Sequence, residues 1–566
     1  MNDPRDPLRV SSAVLTTGRS AFLRLLEAEG VEYLFGNPGT TELAIMQALG
    51  EQRQLRYVLG LQEAIVVAMA DGYARASNRL AACNVHVAPG LGNAMGALFN
   101  AKWYGSPLLI TAGQQEQGHG LMEPLLYDPL VPIAQPMVKW AVEVTRVQDL
   151  PRIVHRAAKI ATTPPTGPVF ISLPGDILDA EAALDLGKPT RVDAANRPSD
   201  QTLQRLAGRL LEARAPVLIA GHELSTYDAL AEAAELAELL GAPVYQQTVP
   251  YSAQYLSEHP AFLGALTRNQ QQVRGALEPY DTLMFLGADV LRMSVFNRVD
   301  PLPEGTSVLQ IGERDWELGK NYPAELAIKA NVKETLRALL PLVRAKRSPE
   351  RAAQATRKLA ELSSQNWTAK RQRLMQEMQS AASATPIDPR FLMMRISETL
   401  STDAVVVEEG VTSTLSLLSF LPLRDAHSYH GLASGGIGFA MAGAIGVSLA
   451  LPGRPVIAIV GDGSAMYSIQ ALWTAAHLKL PITYVIANNR SYRILKERLR
   501  GRQESAAFIG MDLRDPEIDF VHLAESLGVP ARRVTVASDI VPALRAASAG
   551  SGPSLIDVSV ADGFGG

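Results

Sequence analysis

The chain has 566 residues, of which 47% are apolar and 19% charged, with a formal net charge of -4 and a sequence pI near 6.2. That length exceeds what one hydrophobic core organises, so two to four domains are expected, and the near-neutral balance gives no whole-chain electrostatic case for nucleic-acid binding. The single cysteine, Cys83, excludes an intrachain disulfide framework and fits a reducing, cytoplasmic compartment.

The N-terminus, "MNDPRDPLRVSSAVLTTG", lacks the apolar core of a secretory signal. Beyond it, short β-like runs alternate with longer amphipathic or alanine-rich segments. "YVLGL" (57–61) precedes the helical "QEAIVVAMADGYARA" (62–76), and "PLLITAG" (107–113) and "GPVFISLP" (167–174) follow. A polar, proline-containing connection, Gly187 to Asp200, leads to "APVLIAG" (215–221) and "TLMFLGA" (282–288). The charged stretch from about Arg344 to Pro389 looks helical in its middle. The last block carries "DAVVVEEG" (403–410), "VIAIV" (456–460), "ITYVIA" (482–487) and "PSLIDVSV" (553–560). The apolar stretch "GFAMAGAIGVSLALPG" (438–453) is too short and glycine-rich for a membrane span. Nine histidines show no HExxH spacing, so no conventional zinc site is expected.

Such alternation predicts α/β units with mainly parallel, doubly wound sheets. The cuts predict domains at 14–186, 200–343 and 388–562, with 344–387 as a linker. The first and third blocks share a rhythm, which alone does not establish duplication.

One constellation in the third block carries chemistry. Gly461-Asp462-Gly463 follows a strand and opens a helix-like segment; Asn488-Asn489 follows the next strand. In an open parallel sheet, ligands bind beyond the carboxyl ends of the strands. Asp462 and Asn489 would then sit side by side as hard oxygen ligands suited to Mg²⁺ and a diphosphate. The competing reading is two ordinary turns, where Asp, Asn and Gly are common. The pair at this separation, with helix and strand between, favours the metal.

GDG followed by NN resembles the thiamin diphosphate motif. "FGNPGTTEL" (35–43), "LQEAIVVAMADGYARAS" (61–77), "PGLGNAMGALFNA" (89–101) and "SGGIGFAMAGAIG" (434–446) resemble benzoylformate decarboxylase and its acetolactate synthase-like relatives. The resemblance covers nearly the whole chain. It implies three α/β domains of the thiamin diphosphate-dependent decarboxylase type, pyrimidine-binding, central and diphosphate-binding. It also implies sites shared between subunits of a homodimer or homotetramer. Glu63 matches the glutamate that shares a proton with the cofactor's pyrimidine; the competing reading is an acid favoured at a helix N-terminus. The Gly435 carbonyl would accept from the 4'-amino group, and Ile437 would support the bent cofactor. Thr412 and Ser413 match hydroxyl donors to the diphosphate, with an N-cap role as the alternative. Ser491 would complete the metal shell through its carbonyl. Pro38, Gly461, Gly463, Ser464, Tyr467 and Tyr492 take cofactor-lining positions.

On the substrate side, His86 falls where benzoylformate decarboxylase has an active-site histidine, able to relay protons near neutral pH. Thr40 stands where that family has a serine. Leu125 and Leu126 match two pocket leucines. Three departures follow. The second family histidine should fall near "DVLRMSVFNRVD", where Ser294 stands instead, with His430 as a weak substitute. Two pocket aromatics are replaced by Gly431 and Arg498. Arg498 suits a substrate carboxylate or phosphate, or is a solvated helix charge. Arg490 stands where the family has glycine.

The main expectation is a thiamin diphosphate- and Mg²⁺-dependent decarboxylase of 2-oxo acids. Protonation or ligation to an aldehyde would complete turnover. The alternatives are an acetolactate synthase-like carboligase, for which FAD would be expected, and a non-catalytic cofactor-binding paralogue. "PVLIAGHEL" (216–224) offers a poor nucleotide fingerprint.

Overall fold

The computed structural model describes residues 13–51, 54–294, 296–502 and 507–564. They form two compact units. The first comprises the chain up to Val192 with Ser434–Pro452 and Ser468–Leu478; the second comprises Asp193–Ala433, Gly453–Tyr467 and the chain from Lys479 onward.

In the first unit, β1 (Val14–Thr17) pairs antiparallel with the later strand Glu181–Leu184. Six parallel strands make the main sheet: β2 (Tyr33–Gly36), β3 (Arg56–Leu59), β4 (Ala81–His86), β5 (Leu108–Gln114), β6 (Ala141–Glu143) and β7 (Val169–Pro174), with β8 (Glu181–Leu184) outside it. Their order is β3-β2-β4-β5-β7-β6. β5 and β7 are buried along their whole length, as expected when both faces of a parallel sheet are covered. Helix α1 (Glu63–Ser77) starts at Gln62, whose side chain caps the N–H groups of Ala64 and Ile65. Helix α2 (Val87–Tyr104) packs beside it, and α3 (Ala440–Ala450) crosses α1 on glycines. A Cβ on Gly72 would lie 2.2 Å from the Gly443 carbonyl oxygen, and one on Gly446 would lie 1.9 Å from that of Met69. Beside this crossing, the fully buried Asp71 holds Arg75 through a 2.6 Å and a 2.8 Å contact and accepts from Asn100. The Arg75 guanidinium lies 4.2 Å from the ring centres of both Tyr104 and Phe439.

The second unit has two six-stranded parallel sheets. The central one uses β9 (Pro216–Ala220), β10 (Val244–Gln246), β11 (Phe262–Ala265), β12 (Thr282–Leu286), β13 (Ser307–Gly312) and β14 (Leu326–Lys329). Its order, β11-β10-β9-β12-β13-β14, is that of a dinucleotide-binding sheet. The other uses β15 (Val405–Glu409), β16 (Tyr429–Gly431), β17 (Val456–Gly461), β18 (Ile482–Asn488), β19 (Ala531–Val534) and β20 (Ser554–Ser559), ordered β16-β15-β17-β18-β20-β19. Counted from its own first strand, this order repeats that of the first unit's sheet. The duplication left open by sequence rhythm is thus present as shared topology.

Between these two sheets in sequence, the stretch expected to be helical in its middle is so. Helices Pro349–Leu362 and Trp367–Met378 form there, and the buried Trp367 donates its indole N–H to the Leu418 carbonyl at 2.8 Å.

The two repeated sheets reverse their strand order between β2 and β4, and between β15 and β17. Ligand crevices form at such points.

Candidate active site

In the second unit, β17 and β18 run parallel with Gly461 opposite Ala487, so the turns after them are neighbours. Asp462 begins the helical turn Asp462–Ala465 and is only 4% exposed. Burial pushes its carboxyl pKa up to about 6, against the pull of main-chain N–H groups of Gly463, Arg490 and Ser491. Oδ1 accepts from Gly463 N at 2.9 Å, while Oδ2 is buried with no hydrogen-bond partner. An orphaned buried carboxylate oxygen calls for a cation or a proton. Asn489, also buried, accepts from Ser491 N at 2.9 Å through Oδ1, which retains a second lone pair, and its amide reaches Ser413 Oγ at 3.5 Å.

This oxygen-rich donor set fits Mg²⁺ with a diphosphate. Among the described residues, no group of three or more His, Cys, Asp or Glu side chains could hold a metal by itself. Gly463 is required by close approach: a Cβ there would lie 2.6 Å from the Tyr492 ring. Ser464 is buried, Tyr492 half-buried and Tyr467 exposed. Thr412 is half-buried and Ser413 buried, just after Val411, whose φ of 50° is strained for a β-branched residue.

The two asparagines divide. Asn488 donates to Asp557 at 2.9 Å, and that fully buried acid also takes Arg533 at 2.9 Å. Asn488 therefore ties β18 to β20, and Asn489 is left on the turn after β18, neighbouring the turn that carries Asp462. Arg490 has φ 56°, in the left-handed region where glycine is favoured, and its guanidinium pairs with Glu517 at 2.8 Å.

In the first unit, Glu63 is the first residue of α1, buried against the first turn of α2; Asn93 donates to its Oε2 at 3.1 Å. His86 ends β4, with Nδ1 2.7 Å from Glu42 Oε2 and 3.1 Å from Thr41 Oγ1. Pro38 and Thr40 are exposed on the turn after β2. The residue behind His86 is thus Glu42, which sequence reasoning passed over. The available signal was its place three residues after Gly39, where a carboxylate reaches back to the turn's N–H. Gly435, with φ 85°, and the half-buried Ile437 belong to a segment anchored on α2, since Ser434 N donates to Asn100 Oδ1 at 3.1 Å.

Of the expected pocket residues, Leu125 is held through its carbonyl by Gln115 Nε2 at 2.9 Å, just past the end of β5, whose Gly113 N donates to Glu42. Leu125 is 88% exposed, and Leu126 is exposed with φ 69°. Gly431 is buried in β16, where a Cβ would lie 2.6 Å from the Tyr429 hydroxyl, so local packing accounts for it. Arg498 is exposed on helix α4 (Arg493–Arg500); the buried cation of that helix is Lys496, paired with Asp512 at 2.6 Å. Ser294 is exposed, and His430 is buried opposite Ser252.

Three models of one family match in order along the chain. They are the N-terminal TPP-binding domain of thiamine pyrophosphate enzymes over residues 16–124, the central domain over 203–339, and the C-terminal TPP-binding domain over 411–558. The chain belongs to the thiamine pyrophosphate enzymes. Within that family it is 34% identical to benzoylformate decarboxylase of Pseudomonas aeruginosa over 547 residues, covering 96% of this chain and 99% of that protein. The structure of a thiamine diphosphate-dependent 4-hydroxybenzoylformate decarboxylase from Rhodococcus jostii superposes with a TM-score of 0.85 at 33% identity, over 96% of this chain and 99% of that one. An acetolactate synthase of Mycobacterium bovis is 27% identical over 94% of this chain and 86% of that protein. This thiamine pyrophosphate enzyme is accordingly of the thiamine pyrophosphate-dependent decarboxylase family, with the three-domain parallel-sheet fold of its structural neighbours.

Proposed function

We propose that the protein is a Mg²⁺-dependent, non-oxidative decarboxylase of 2-oxo acids with thiamin diphosphate as cofactor, its preferred substrates resembling benzoylformate. The observation that carries this reading is the buried, partnerless Asp462 oxygen beside Asn489, in a chain that also buries Glu63 at a helix start. Asp462, Asn489 and the Ser491 carbonyl would hold the metal, and Thr412 and Ser413 would donate to the diphosphate. When bound, thiamin diphosphate supplies a nucleophilic carbon and an electron sink. Glu63 would share a proton with the pyrimidine nitrogen, held in place by Asn93. His86 would take and return a proton at the substrate, and the Thr40 hydroxyl would orient the substrate carboxylate.

The blocks 14–186, 200–343 and 388–562 would serve as pyrimidine-binding, central and diphosphate-binding domains. A homodimer or homotetramer with shared sites accords with Leu121, Met122, Leu125 and Leu126, whose apolar side chains lie open to solvent.

A flavin-dependent synthase is disfavoured by the central sheet. At its β9–β12 switch point, Glu223 fills the crevice and accepts from Glu313 N at 3.1 Å. A Cβ on Gly287 would lie 2.3 Å from the Glu223 Cβ, so the acid packs directly against the strand-end backbone there.

A panel of 2-oxo acids with added thiamin diphosphate and Mg²⁺, read for both CO₂ and organic products, tests the proposal. Aromatic 2-oxo acids should release CO₂ and yield aldehydes. Exclusive formation of ligated hydroxyketones would favour the carboligase. Glu63→Gln should lower turnover by at least about 100-fold with the fold retained; unchanged turnover would remove Glu63 from the mechanism.

A further inference from the structure

The corner at the end of β4 contains more than a histidine. Glu42 is 0% exposed, yet its carboxylate meets four donors from three parts of the chain. Oε2 takes Gly39 N at 2.9 Å and faces His86 Nδ1 at 2.7 Å; Oε1 takes Gly113 N at 2.8 Å and the Thr41 hydroxyl at 2.9 Å. Two of those donors are backbone N–H groups, which can only donate, so the carboxylate is held as an acceptor. The Thr41 hydroxyl spends its proton on Oε1 and turns lone pairs toward Nδ1, 3.1 Å away. Both neighbours of Nδ1 are therefore acceptors, and Nδ1 must be the protonated nitrogen.

Two glycines make room for the pair. A Cβ on Gly39 would lie 2.2 Å from His86 Nδ1, and one on Gly113 would lie 2.1 Å from Glu42 Oε1. The next residue, Val87, holds φ 40°, a conformation that a β-branched residue adopts only when its surroundings impose it. The imidazole keeps 20% of its side-chain surface exposed while Glu42 keeps none, so the ring is open only away from the acid.

We propose that Glu42 is a positioning residue that locks His86 in the Nδ1–H tautomer and offers Nε2 for proton transfer. This deepens the reading of His86 given above and rests on it. In the forward step, neutral Nε2 accepts one proton, giving an imidazolium whose Nδ1–H remains on Glu42; Nε2 then returns that proton, and Glu42 stays ionised throughout. An acid held this way stabilises the imidazolium without itself being protonated. The arrangement also bears on Thr40 and Thr41: the first residue is exposed, whereas the hydroxyl of the second is committed to the acid–imidazole pair.

The test is a two-bond ¹H–¹⁵N correlation spectrum of the histidine-labelled full-length protein with thiamin diphosphate and Mg²⁺ added. The His86 signal is assigned by its loss in His86→Ala. The parent should show the Nδ1–H tautomer, and a dominant Nε2–H tautomer there overturns the proposal without any variant. In Glu42→Gln, the amide can donate to Nδ1, so the signal should move toward the Nε2–H tautomer. Its kcat for the 2-oxo acid should fall by about 100-fold, with KM changed less than about 3-fold. Glu42→Asp should recover part of the Nδ1–H signal. An unchanged tautomer in folded Glu42→Gln overturns the positioning role, whereas full turnover in His86→Ala overturns the reading of His86 itself.

Discussion

Adjacent asparagines at 488 and 489 do different work, and the difference is measurable. Asn488 is spent inside the sheet on Asp557, whereas Asn489, on the turn after β18, holds Ser491 N and Ser413. Asn488→Ala should lower stability by about 1–3 kcal/mol, the cost of stripping a partner from a buried acid, as read by chemical denaturation. Asn489→Ala should cost the apoprotein a similar amount, since it strips the acceptor from Ser491 N, but it alone of the two should also weaken Mg²⁺-dependent cofactor binding at least about 10-fold in calorimetry. Glu223 gives a pH prediction. Burial first, and then the neighbouring Glu313, push its pKa from 4.5 to about 8. The unfolded chain releases this proton near 4.5 and the folded chain holds it to about 8, so between those values the unfolded state binds fewer protons. Its contribution makes stability fall as pH rises through that window and then level off. Glu223→Gln removes the titration, so parent and variant stabilities should diverge between pH 5 and 8 by a few kcal/mol. Parallel curves would show that Glu223 is ionised in the fold.

At the scale of elements, the crossing of α1 and α3 rests on residues without side chains. α1 reads as an amphipathic helix in sequence, yet it is buried from Glu63 to Ala76 apart from Ala64. Its periodicity could not show this, because the second covering helix comes from far along the chain. Gly446→Ala should cost about 1–3 kcal/mol or more, since its methyl would enter the space of the Met69 carbonyl and neither backbone can yield cheaply. Exposed Gly50→Ala, in a helix with open space around it, should be neutral or stabilising in the same denaturation series. In the stretch 344–387, whose middle was expected to be helical, few apolar residues suffice to dock the helices: Ala355, Trp367 and Met378 are buried, and Lys370 and Arg371 donate to the Leu263 and Phe420 carbonyls.

For the whole molecule, the repeated strand order places each constellation at a reversal point, His86 with the turn after β2, and Asp462 with the turn after β15. Metal removal should therefore show itself as a linked stability change. With saturating cofactor and Mg²⁺, the thermal midpoint should rise by several degrees, and chelation should return it to the apo value. No shift in Asp462→Ala, with the parent shift intact, is the matching outcome; a full shift in that variant would remove Asp462 from the metal seat.

Much of the candidate site was legible in the chain because its signals are local. Glycine turns after apolar runs, an acid opening a helix and the GDG and NN pair are each set by backbone chemistry within a few residues. By itself, the sequence determined the alternating α/β class, the thiamine pyrophosphate family, and Glu63, His86, Asp462 and Asn489 as candidate site residues. Only the tertiary structure decided which buried acid stands behind His86, which asparagine is structural, and why Glu223 closes the central crevice. It also decided that Gly431 answers to Tyr429 and that Arg490 occupies a left-handed turn. Those facts depend on which strands lie side by side and which atoms a buried polar group can reach, and a buried polar group takes its meaning from its partners rather than from its neighbours in sequence.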